Sequence, residues 1–245
     1  MIMDGIEGLG VVRKGASRYT KEHEVQVPAG LVTLEGTLGI PEGAKGIVLF
    51  AHGSGSSRHS PRNQYVAKVL RKAGLATLLI DLLTEEEETI DIQTAHLRFD
   101  IGLLAKRLVG VTDWLIKNPD TRNLKIGYFG ASTGAGAALV AAAEREKIVG
   151  AVVSRGGRPD LASPSILQRV QAPTLLIVGG HDHPVIEMNQ EALNHLKVEK
   201  KLVIVPGATH LFEEQGKLEE VANLATDWFV RYLLVKQKES TIEIR

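Results

Sequence analysis

A serine, an aspartate and a histidine each follow an apolar segment of the chain, in that order. Ser132 lies in the sequence GASTG, Asp182 in GGHDHPV and His210 in GATHLF. A serine hydroxyl is a poor nucleophile until a base takes its proton, and a carboxylate commonly orients that base. These residue types therefore predict acyl-transfer chemistry, with Ser132 as the nucleophile, His210 as the base and Asp182 as the orienting acid.

The residues around Ser132 fit a tight turn between a strand and a helix. A serine in such a turn is held in a strained conformation, and its neighbours two positions away must be very small, as Gly130 and Gly134 are. The start of the following helix would supply N–H groups and the positive end of a dipole. A glycine-rich turn with an incidental serine is the alternative. A phosphate-binding loop is disfavoured, because neither a Lys-Ser/Thr pair nor the Rossmann glycine spacing is present.

A tetrahedral intermediate also needs N–H donors for its negative oxygen. These donors usually come from the residue after the nucleophile and from the loop after the third strand. By this rule Thr133 supplies the donor after the nucleophile, and Ser54, in the sequence HGSGSS, supplies the donor after the third strand. The alternative for this second segment is a flexible Gly/Ser turn.

Two other interpretations apply to the acidic segment. Asp160 is a second candidate for the acid, although it lies further from the end of its strand than Asp182 does. His181 and His183 could bind a metal ion together with His210. In an extended segment these two histidines share one face and Asp182 takes the other, so the three do not converge without a bend. We therefore expect Asp182 to be the acid and the site to use no metal and no cofactor.

An alternation of strands and helices would position these residues. Two extended segments, 24–27 and 31–38, are joined by the turn 28–30 and predict an antiparallel hairpin. Short apolar runs then predict strands that are buried on both faces of a parallel sheet. They span residues 46–51, 75–80, 124–129, 148–153, 174–178 and 201–205. Helical patterns cover residues 62–72, 94–117, 133–145, 188–196 and 218–234.

This alternation predicts an α/β fold with a doubly wound, mostly parallel sheet of about eight strands and an antiparallel N-terminal hairpin. Sheets of this kind bind their ligands at the carboxyl ends of the strands. We expect a single domain over residues 21–235, an N-terminal extension over 1–20 and a C-terminal tail over 236–245. The segment 154–173 is too short for a large cap domain.

The composition excludes several classes of protein. The 245 residues include no cysteine, which excludes disulfide scaffolds, iron–sulfur clusters and a cysteine nucleophile. The 29 Lys and Arg residues balance 29 Asp and Glu residues, so no global field favours nucleic acid or an anionic membrane. Asp4 and Glu7 stand where a signal peptide would carry positive charge, which predicts a cytoplasmic protein. The pattern does not specify an oligomeric state.

On the motifs HGSGSS, GASTG, GGHDHPV and GATHLF, the sequence resembles the α/β-hydrolase superfamily, and within it the small, lidless dienelactone hydrolase-like group. The resemblance covers about residues 24–232. It implies the roles given above for Ser132, Asp182 and His210, with Ser54 and Thr133 as the oxyanion donors. Dienelactone hydrolases proper use a cysteine nucleophile, which this chain lacks, so their substrate is not carried over. A serine at this position also argues against dehalogenase and epoxide hydrolase relatives, which use an aspartate there.

The predicted function is a cofactor-independent serine hydrolase of carboxylic esters or thioesters, acting through an acyl-enzyme on Ser132. An open, lidless site suits small acyl groups better than long lipids. An acyltransferase would use the same acyl-enzyme. A binding or regulatory protein on a hydrolase scaffold is the third alternative, since fold alone does not imply activity.

Two groups of charged residues lie outside the catalytic motifs. Arg58, Arg62, Arg155 and Arg158 fall in segments expected at the rim of the site, where they could bind a carboxylate or phosphate on the substrate. Local surface ion pairs are the alternative role for these arginines. The acidic run 85–88 is expected to be a solvated loop after the fourth strand.

Overall fold

The computed structural model describes residues 21–234, which form an eight-stranded sheet in the order β1-β2-β4-β3-β5-β6-β7-β8. The strands are β1 (Lys21–Ala29), β2 (Val32–Ile40), β3 (Gly46–Ala51), β4 (Ala76–Ile80), β5 (Lys125–Ala131), β6 (Val149–Arg155), β7 (Thr174–Gly179) and β8 (Lys200–Val205). β1 pairs with β2, and β2 with β4, in antiparallel fashion, while the other neighbours are parallel. The predicted fold class is confirmed.

Helices cover both faces of the sheet. They are α1 (Pro61–Lys72), α2 (Glu85–Thr94), α3 (Ile101–Leu115), α4 (Thr133–Glu144), α5 (Pro164–Leu167), α6 (His183–His195) and α7 (Lys217–Phe229), with a π-helical turn at Val230–Leu234. α1 and α7 pack on one face, where Val66 and Phe229 join a core cluster. α3 and α4 pack on the other face, around Leu108 and Tyr128. β3, β4 and β7 are buried along their whole length, which explains their continuous apolar sequences.

The alanine-rich helix α4 lies inside the protein except for its last residue, Glu144. Every residue from 133 to 143 is buried, so the helix has no polar face. Small side chains allow it to fit between the sheet and α3, which it contacts extensively. This tight packing fixes the position of Ser132, the residue immediately before the helix.

The single helix predicted over residues 94–117 is wrong. The structure has α2, then a 3₁₀ turn at Leu97–Phe99, then α3. α2 ends at Thr94, and the next residue, Ala95, has a left-handed φ of 54°. Asp91 accepts the N–H groups of Leu97 and Arg98 in the turn that follows. Asp100 then caps α3 by accepting the N–H of Leu103. Side-chain hydrogen bonds to the backbone thus break a segment whose apolar pattern continues.

The prediction of a solvated loop at residues 85–88 is also wrong, because these glutamates form the first turn of α2. Thr84 and Glu87 make a reciprocal capping box at the start of the helix. Carboxylates at a helix N-terminus interact favourably with the helix dipole. Glu87 also forms an ion pair with Arg107 of α3.

The connection between β6 and β7 contains only a 3₁₀ turn at Pro159–Leu161 and the four-residue α5, so the described fold has no large cap. α6 begins at His183, five residues earlier than predicted. Within residues 21–234, no helix is both long enough and apolar enough to cross a membrane. The predicted extension over 1–20 and tail over 236–245 lie outside the described residues, and the domain boundaries stay a prediction.

Candidate active site

Ser132 occupies the sharp turn between β5 and α4. Its φ of 50° and ψ of −123° lie in a region that few residues other than glycine adopt. The turn leaves Ser132 partly exposed, while residues 133–143 behind it are buried. The predicted strained strand-to-helix turn is therefore present at the end of the sheet.

Gly130 and Gly134 are required by close packing around this turn. A Cβ atom on Gly130 would lie 2.4 Å from Cα of Ala135. A Cβ atom on Gly134 would lie 2.3 Å from the carbonyl oxygens of both Ala51 and His52. Both distances are far below van der Waals contact, so only glycine fits at either position.

Asp182 and His210 meet across two neighbouring strand ends. Asp182 follows β7 and His210 follows β8, and Nδ1 of His210 lies 2.6 Å from Oδ2 of Asp182. A carboxylate at this distance accepts the Nδ1 proton, which leaves Nε2 with a free lone pair. The ring is therefore set up in the tautomer that a general base needs.

The end of β6 lies between Ser132 and His210. The N–H of Ser132 donates to the carbonyl of Arg155 at 3.2 Å. A Cβ atom on the next residue, Gly156, would lie 3.4 Å from Nδ1 of His210. Ser132 and His210 thus lie near two adjacent residues, Arg155 and Gly156 respectively, although no hydrogen bond joins the Ser132 hydroxyl to His210 within residues 21–234. Catalytic hydrogen bonds are often long in the absence of substrate.

The two predicted oxyanion donors lie side by side. The N–H of Ser54 donates to Oγ1 of Thr133 at 2.9 Å. The N–H of Thr133 is in the first turn of α4, where helical N–H groups have no acceptor within the helix. The N–H of Thr133 is thus left without an acceptor within the helix, whereas the Ser54 N–H is satisfied by a side chain in this structure. The oxyanion role of both residues stays a prediction.

His52 is a site residue to which the sequence pattern assigned no role. Its Nδ1 lies 2.9 Å from the carbonyl oxygen of Gly53, and its Nε2 accepts the N–H of Leu82 at 3.1 Å. Because Nε2 must accept, the proton is on Nδ1 and the ring is neutral. Desolvation of the partly buried ring lowers the pKa of His52 below its ordinary value of 6.5. His52 thus ties the oxyanion loop, residues 52–56, to the loop after β4.

A pocket opens next to the oxyanion loop. It contains about 430 Å³ of empty space, counting the part open to solvent. Its lining includes Ser54 and Thr133, together with Asp81, Leu83 and Arg98. The pocket is small, with both polar and apolar walls, and it adjoins the atoms that would bind an oxyanion.

The four predicted rim arginines have different environments. Arg58 is paired with Asp81 and Glu24, and Asp81 also accepts its backbone N–H. Arg158 makes two hydrogen bonds to the carboxylate of Asp160, at 2.8 and 2.7 Å. Carboxylates of the protein therefore neutralise both guanidinium groups, and Asp160 is paired with Arg158 rather than with His210.

Arg62 and Arg155 are less completely paired. Arg62 donates from Nη1 to Glu213 at 3.0 Å. Arg155 is buried, and its Nε and Nη1 atoms have no hydrogen-bond partner among the described residues. Burial lowers the pKa of Arg155 to about 10, and the positive charge of Arg62 acts in the same direction.

The alternative metal site is not assembled in the part of the chain that the structure describes. No group of three or more His, Asp or Glu side chains there is arranged to hold a metal ion. His183 begins α6, and the Asp182 carboxylate is bonded to His210.

Residues 34–234 match the sequence model of the dienelactone hydrolase family. This chain belongs to the dienelactone hydrolase family. The predicted resemblance is thereby confirmed, and membership places the chain among hydrolases. A crystal structure of dienelactone hydrolase from Anabaena variabilis is 70% identical, covers 87% of this chain and 99% of that chain, and superposes with a TM-score of 0.86.

Two further comparisons extend this result. A protein of Mycobacterium tuberculosis strain H37Rv, provisionally named a phosphoribosyl transferase, is 60% identical over 224 residues, which is 91% of this chain. The chain spans about half, 49%, of the length of that relative. An esterase of Pyrococcus furiosus is only 19% identical but superposes with a TM-score of 0.70 over 87% of this chain and 94% of its own, so the two share the fold.

Proposed function

We propose that this protein is a cofactor-independent serine hydrolase that cleaves esters or thioesters of small acyl groups. The observation that carries this proposal is the 2.6 Å contact between Nδ1 of His210 and Oδ2 of Asp182, made beside the strained turn that holds Ser132. A partly buried carboxylate bonded to a histidine next to a strained serine is the arrangement that activates a hydroxyl.

In the proposed reaction, Oγ of Ser132 attacks the carbonyl carbon of the substrate while Nε2 of His210 takes the hydroxyl proton. The protonated ring is stabilised by Asp182 and then gives the proton to the leaving alcohol or thiol. An acyl group remains on Ser132. Water then attacks this ester, with His210 again as the base, and releases the carboxylic acid.

The oxyanion formed in each step would be bound by the N–H groups of Thr133 and Ser54. In the free protein the Ser54 N–H donates to the Thr133 hydroxyl. We infer that the oxyanion replaces this hydroxyl as the acceptor. The hydroxyl thus keeps the donor satisfied between reactions, because an unpaired N–H would be costly.

The surroundings of the site favour small substrates. The connection between β6 and β7 carries no cap that could enclose a long acyl chain. The adjoining pocket holds about 430 Å³ of empty space, part of which is open to solvent. Small acyl groups therefore fit better than lipids.

The name of the mycobacterial relatives suggests another chemistry, phosphoribosyl transfer. This chain matches only 49% of their length, and the matched part has the hydrolase fold. We propose that hydrolysis belongs to the half that is shared with this chain. Phosphoribosyl transfer would then belong to the other half of those relatives.

The proposal is tested by steady-state hydrolysis of p-nitrophenyl acetate and of a short-chain thioester. Ser132→Ala should lower kcat by a factor of at least about 10³, because it removes the attacking hydroxyl. Added methanol distinguishes the acyltransferase alternative, since a transferase would form the methyl ester in preference to the free acid. If the parent protein hydrolyses neither ester nor thioester and forms no acyl-enzyme, the binding-protein alternative is supported instead.

A further inference from the structure

Asn189 is a fully buried amide in the middle of α6, with an exposed fraction of 0%. Its Nδ2 donates to two carbonyl oxygens, that of Val185 at 2.7 Å and that of Gly157 at 3.0 Å. Its Oδ1 is buried without a hydrogen-bond partner among the described residues. A buried acceptor without a partner is unfavourable, and an apolar side chain of similar shape would avoid it. The amide is therefore explained by its two donated hydrogen bonds.

These two hydrogen bonds differ in reach. Val185 precedes Asn189 by four residues, so the first bond stays within one turn of α6. Thr112 and Thr226 make the same kind of bond to the carbonyl four residues earlier in their own helices. Gly157 is 32 residues away from Asn189, in the connection after β6. The bond to Gly157 is therefore the one that ties α6 to the candidate active site.

The bond to Gly157 begins a chain of hydrogen bonds that passes through two peptide groups. The carbonyl of Gly157 and the N–H of Arg158 belong to one peptide group, and that N–H donates to the carbonyl of Ser132 at 3.0 Å. The carbonyl of Ser132 and the N–H of Thr133 belong to the other. Because a trans peptide is planar, with its carbonyl and N–H on opposite sides, fixing one of them directs the other. The chain that begins at Asn189 thus ends at an N–H proposed to bind the oxyanion.

Close packing holds the middle of this chain in place. A Cβ atom on Gly157 would lie 2.6 Å from Cβ of Ala135. A Cβ atom on Gly136 would lie 2.8 Å from the carbonyl oxygen of Arg158. The connection after β6 therefore packs directly on the first turns of α4. In such close packing a displaced peptide group displaces its neighbours.

The chain affects both the direction and the strength of the last donor. The carbonyl of Ser132 accepts the N–H of Ala135 at 3.1 Å as well as that of Arg158, so its orientation is fixed from two sides. Hydrogen bonds in series polarise one another, and a peptide whose carbonyl accepts a bond becomes a stronger donor at its N–H. The N–H of Thr133 gains from both effects.

We propose that Asn189 is a positioning residue, which acts through the two peptide groups to direct and polarise the N–H of Thr133 toward the oxyanion. The proposal rests on the proposed hydrolase function and adds to it a residue of α6 that is too deeply buried to touch the substrate. A bond to the oxyanion is made only after the nucleophile attacks. Loss of the chain should therefore lower kcat and leave KM nearly unchanged.

The first test measures hydrolysis of p-nitrophenyl acetate by Asn189→Leu and Asn189→Thr. The leucine variant loses both hydrogen bonds. The threonine hydroxyl should keep the bond to Val185 within the helix but not reach Gly157. Removal of a whole oxyanion donor costs about 10² to 10³ in kcat, so a misdirected donor should cost about tenfold in both variants, with KM changed less than about twofold. If Asn189→Leu fails to fold, Asn189→Thr decides by the same measurements.

A second measurement separates positioning from general destabilisation. Trifluoroacetone forms a tetrahedral adduct with an activated serine, and this adduct carries an oxyanion as the transition state does. Its affinity should fall in both Asn189 variants by the same factor as kcat/KM. Leu196→Ala is the control, because Leu196 is fully buried at the end of the same helix and its truncation leaves a cavity. The control should change neither kcat nor the affinity for trifluoroacetone by more than about twofold.

A third measurement needs no substrate. In proton–nitrogen correlation spectra, the amide protons of Arg158 and Thr133 should shift upfield in both Asn189 variants, because the hydrogen bonds along the chain weaken. They should keep their positions in Leu196→Ala.

The two proposals fail in different ways. A parent protein without esterase activity, in which these amide protons still respond to Asn189, would overturn the hydrolase and keep the hydrogen-bond chain. An active parent whose Asn189 variants keep its kcat and its affinity for trifluoroacetone would overturn the positioning role and keep the hydrolase. An equal loss of kcat in Leu196→Ala would also overturn the positioning role.

Discussion

Asp182 and His210 are 28 residues apart in the chain, yet Oδ2 of the aspartate lies 2.6 Å from Nδ1 of the histidine. Asp182 occupies the N-cap position of α6, where an aspartate usually accepts a helix N–H. Its side chain makes no such capping bond and is directed to His210 instead. This choice of partner is the one expected of a carboxylate that orients the ring.

The first prediction concerns this contact. Asp182→Asn should fold normally, because the side chain keeps its size, but it should lower kcat by about 10³ to 10⁴, since an amide stabilises the wrong tautomer and does not stabilise the protonated ring. The measurement is hydrolysis of p-nitrophenyl acetate, with circular dichroism as a check on folding. Asp160→Asn is the matched control, because Asp160 binds only Arg158. Equal losses in the two variants would contradict the role of Asp182.

The second prediction concerns the turn at Ser132. Gly134→Ala should lower the free energy of unfolding by about 3 kcal/mol or more, because a Cβ atom there would lie 2.3 Å from two backbone oxygens that cannot move independently. Gly102→Ala is the comparison. Its Cβ atom would be 3.4 Å from the nearest atom, and alanine favours a helix over glycine, so stability should stay equal or rise. Urea unfolding measures both, and equal effects would contradict the close packing described for the turn.

The third prediction concerns the hydroxyl of Thr133, which accepts the N–H of Ser54. Thr133→Val keeps the shape of the side chain but removes this acceptor, so the oxyanion loop should lose its fixed position. We expect kcat/KM to fall about tenfold or more, whereas Thr133→Ser should retain most of the activity. A valine variant as active as the serine variant would show that the hydroxyl does not position the loop.

The fourth prediction concerns pH and His52. In the folded protein the ring is kept neutral by burial, which lowers its pKa, although the charges of Asp81 and Glu88 oppose this in part. In the unfolded chain it titrates near its ordinary value of 6.5. As the pH falls through about 6.5, the unfolded state therefore binds a proton that the folded state does not, and stability falls. Above this pH the ring is neutral in both the folded and the unfolded state, so it no longer makes stability depend on pH.

His52→Gln should remove this pH dependence. Between pH 7 and pH 5, the free energy of unfolding of the parent protein should fall more steeply than that of the variant, by up to about 1.4 kcal/mol per pH unit. Urea unfolding at several pH values measures both slopes. Parallel slopes would mean that the ring is not held neutral in the fold.

Much of the sheet could be predicted because its strands are buried on both faces. β7 is an example, since a strand with every residue buried must be apolar throughout. The turn at Ser132 was also predictable, because only glycine fits at Gly130 and Gly134. The start of α6 was missed although Pro184 marks the first turn of a helix.

Other features depend on contacts that no local pattern contains. Apolar spacing continues across residues 94–117, and only the hydrogen bonds of Asp91 to the following backbone end the first helix there. The environments of the arginines could not be predicted from local sequence either. Sequence supplies their charges, but only the fold separates Arg58, which meets Asp81, from Arg155, which meets no carboxylate among the described residues.

The central claim is that Ser132 is an activated nucleophile, and the most direct test is reaction with a fluorophosphonate followed by intact-mass measurement. The parent protein should gain the mass of one adduct and lose its esterase activity at the same rate. Ser132→Ala should gain none. A parent protein that stays unlabelled, or an adduct that forms equally on Ser132→Ala, would contradict the account.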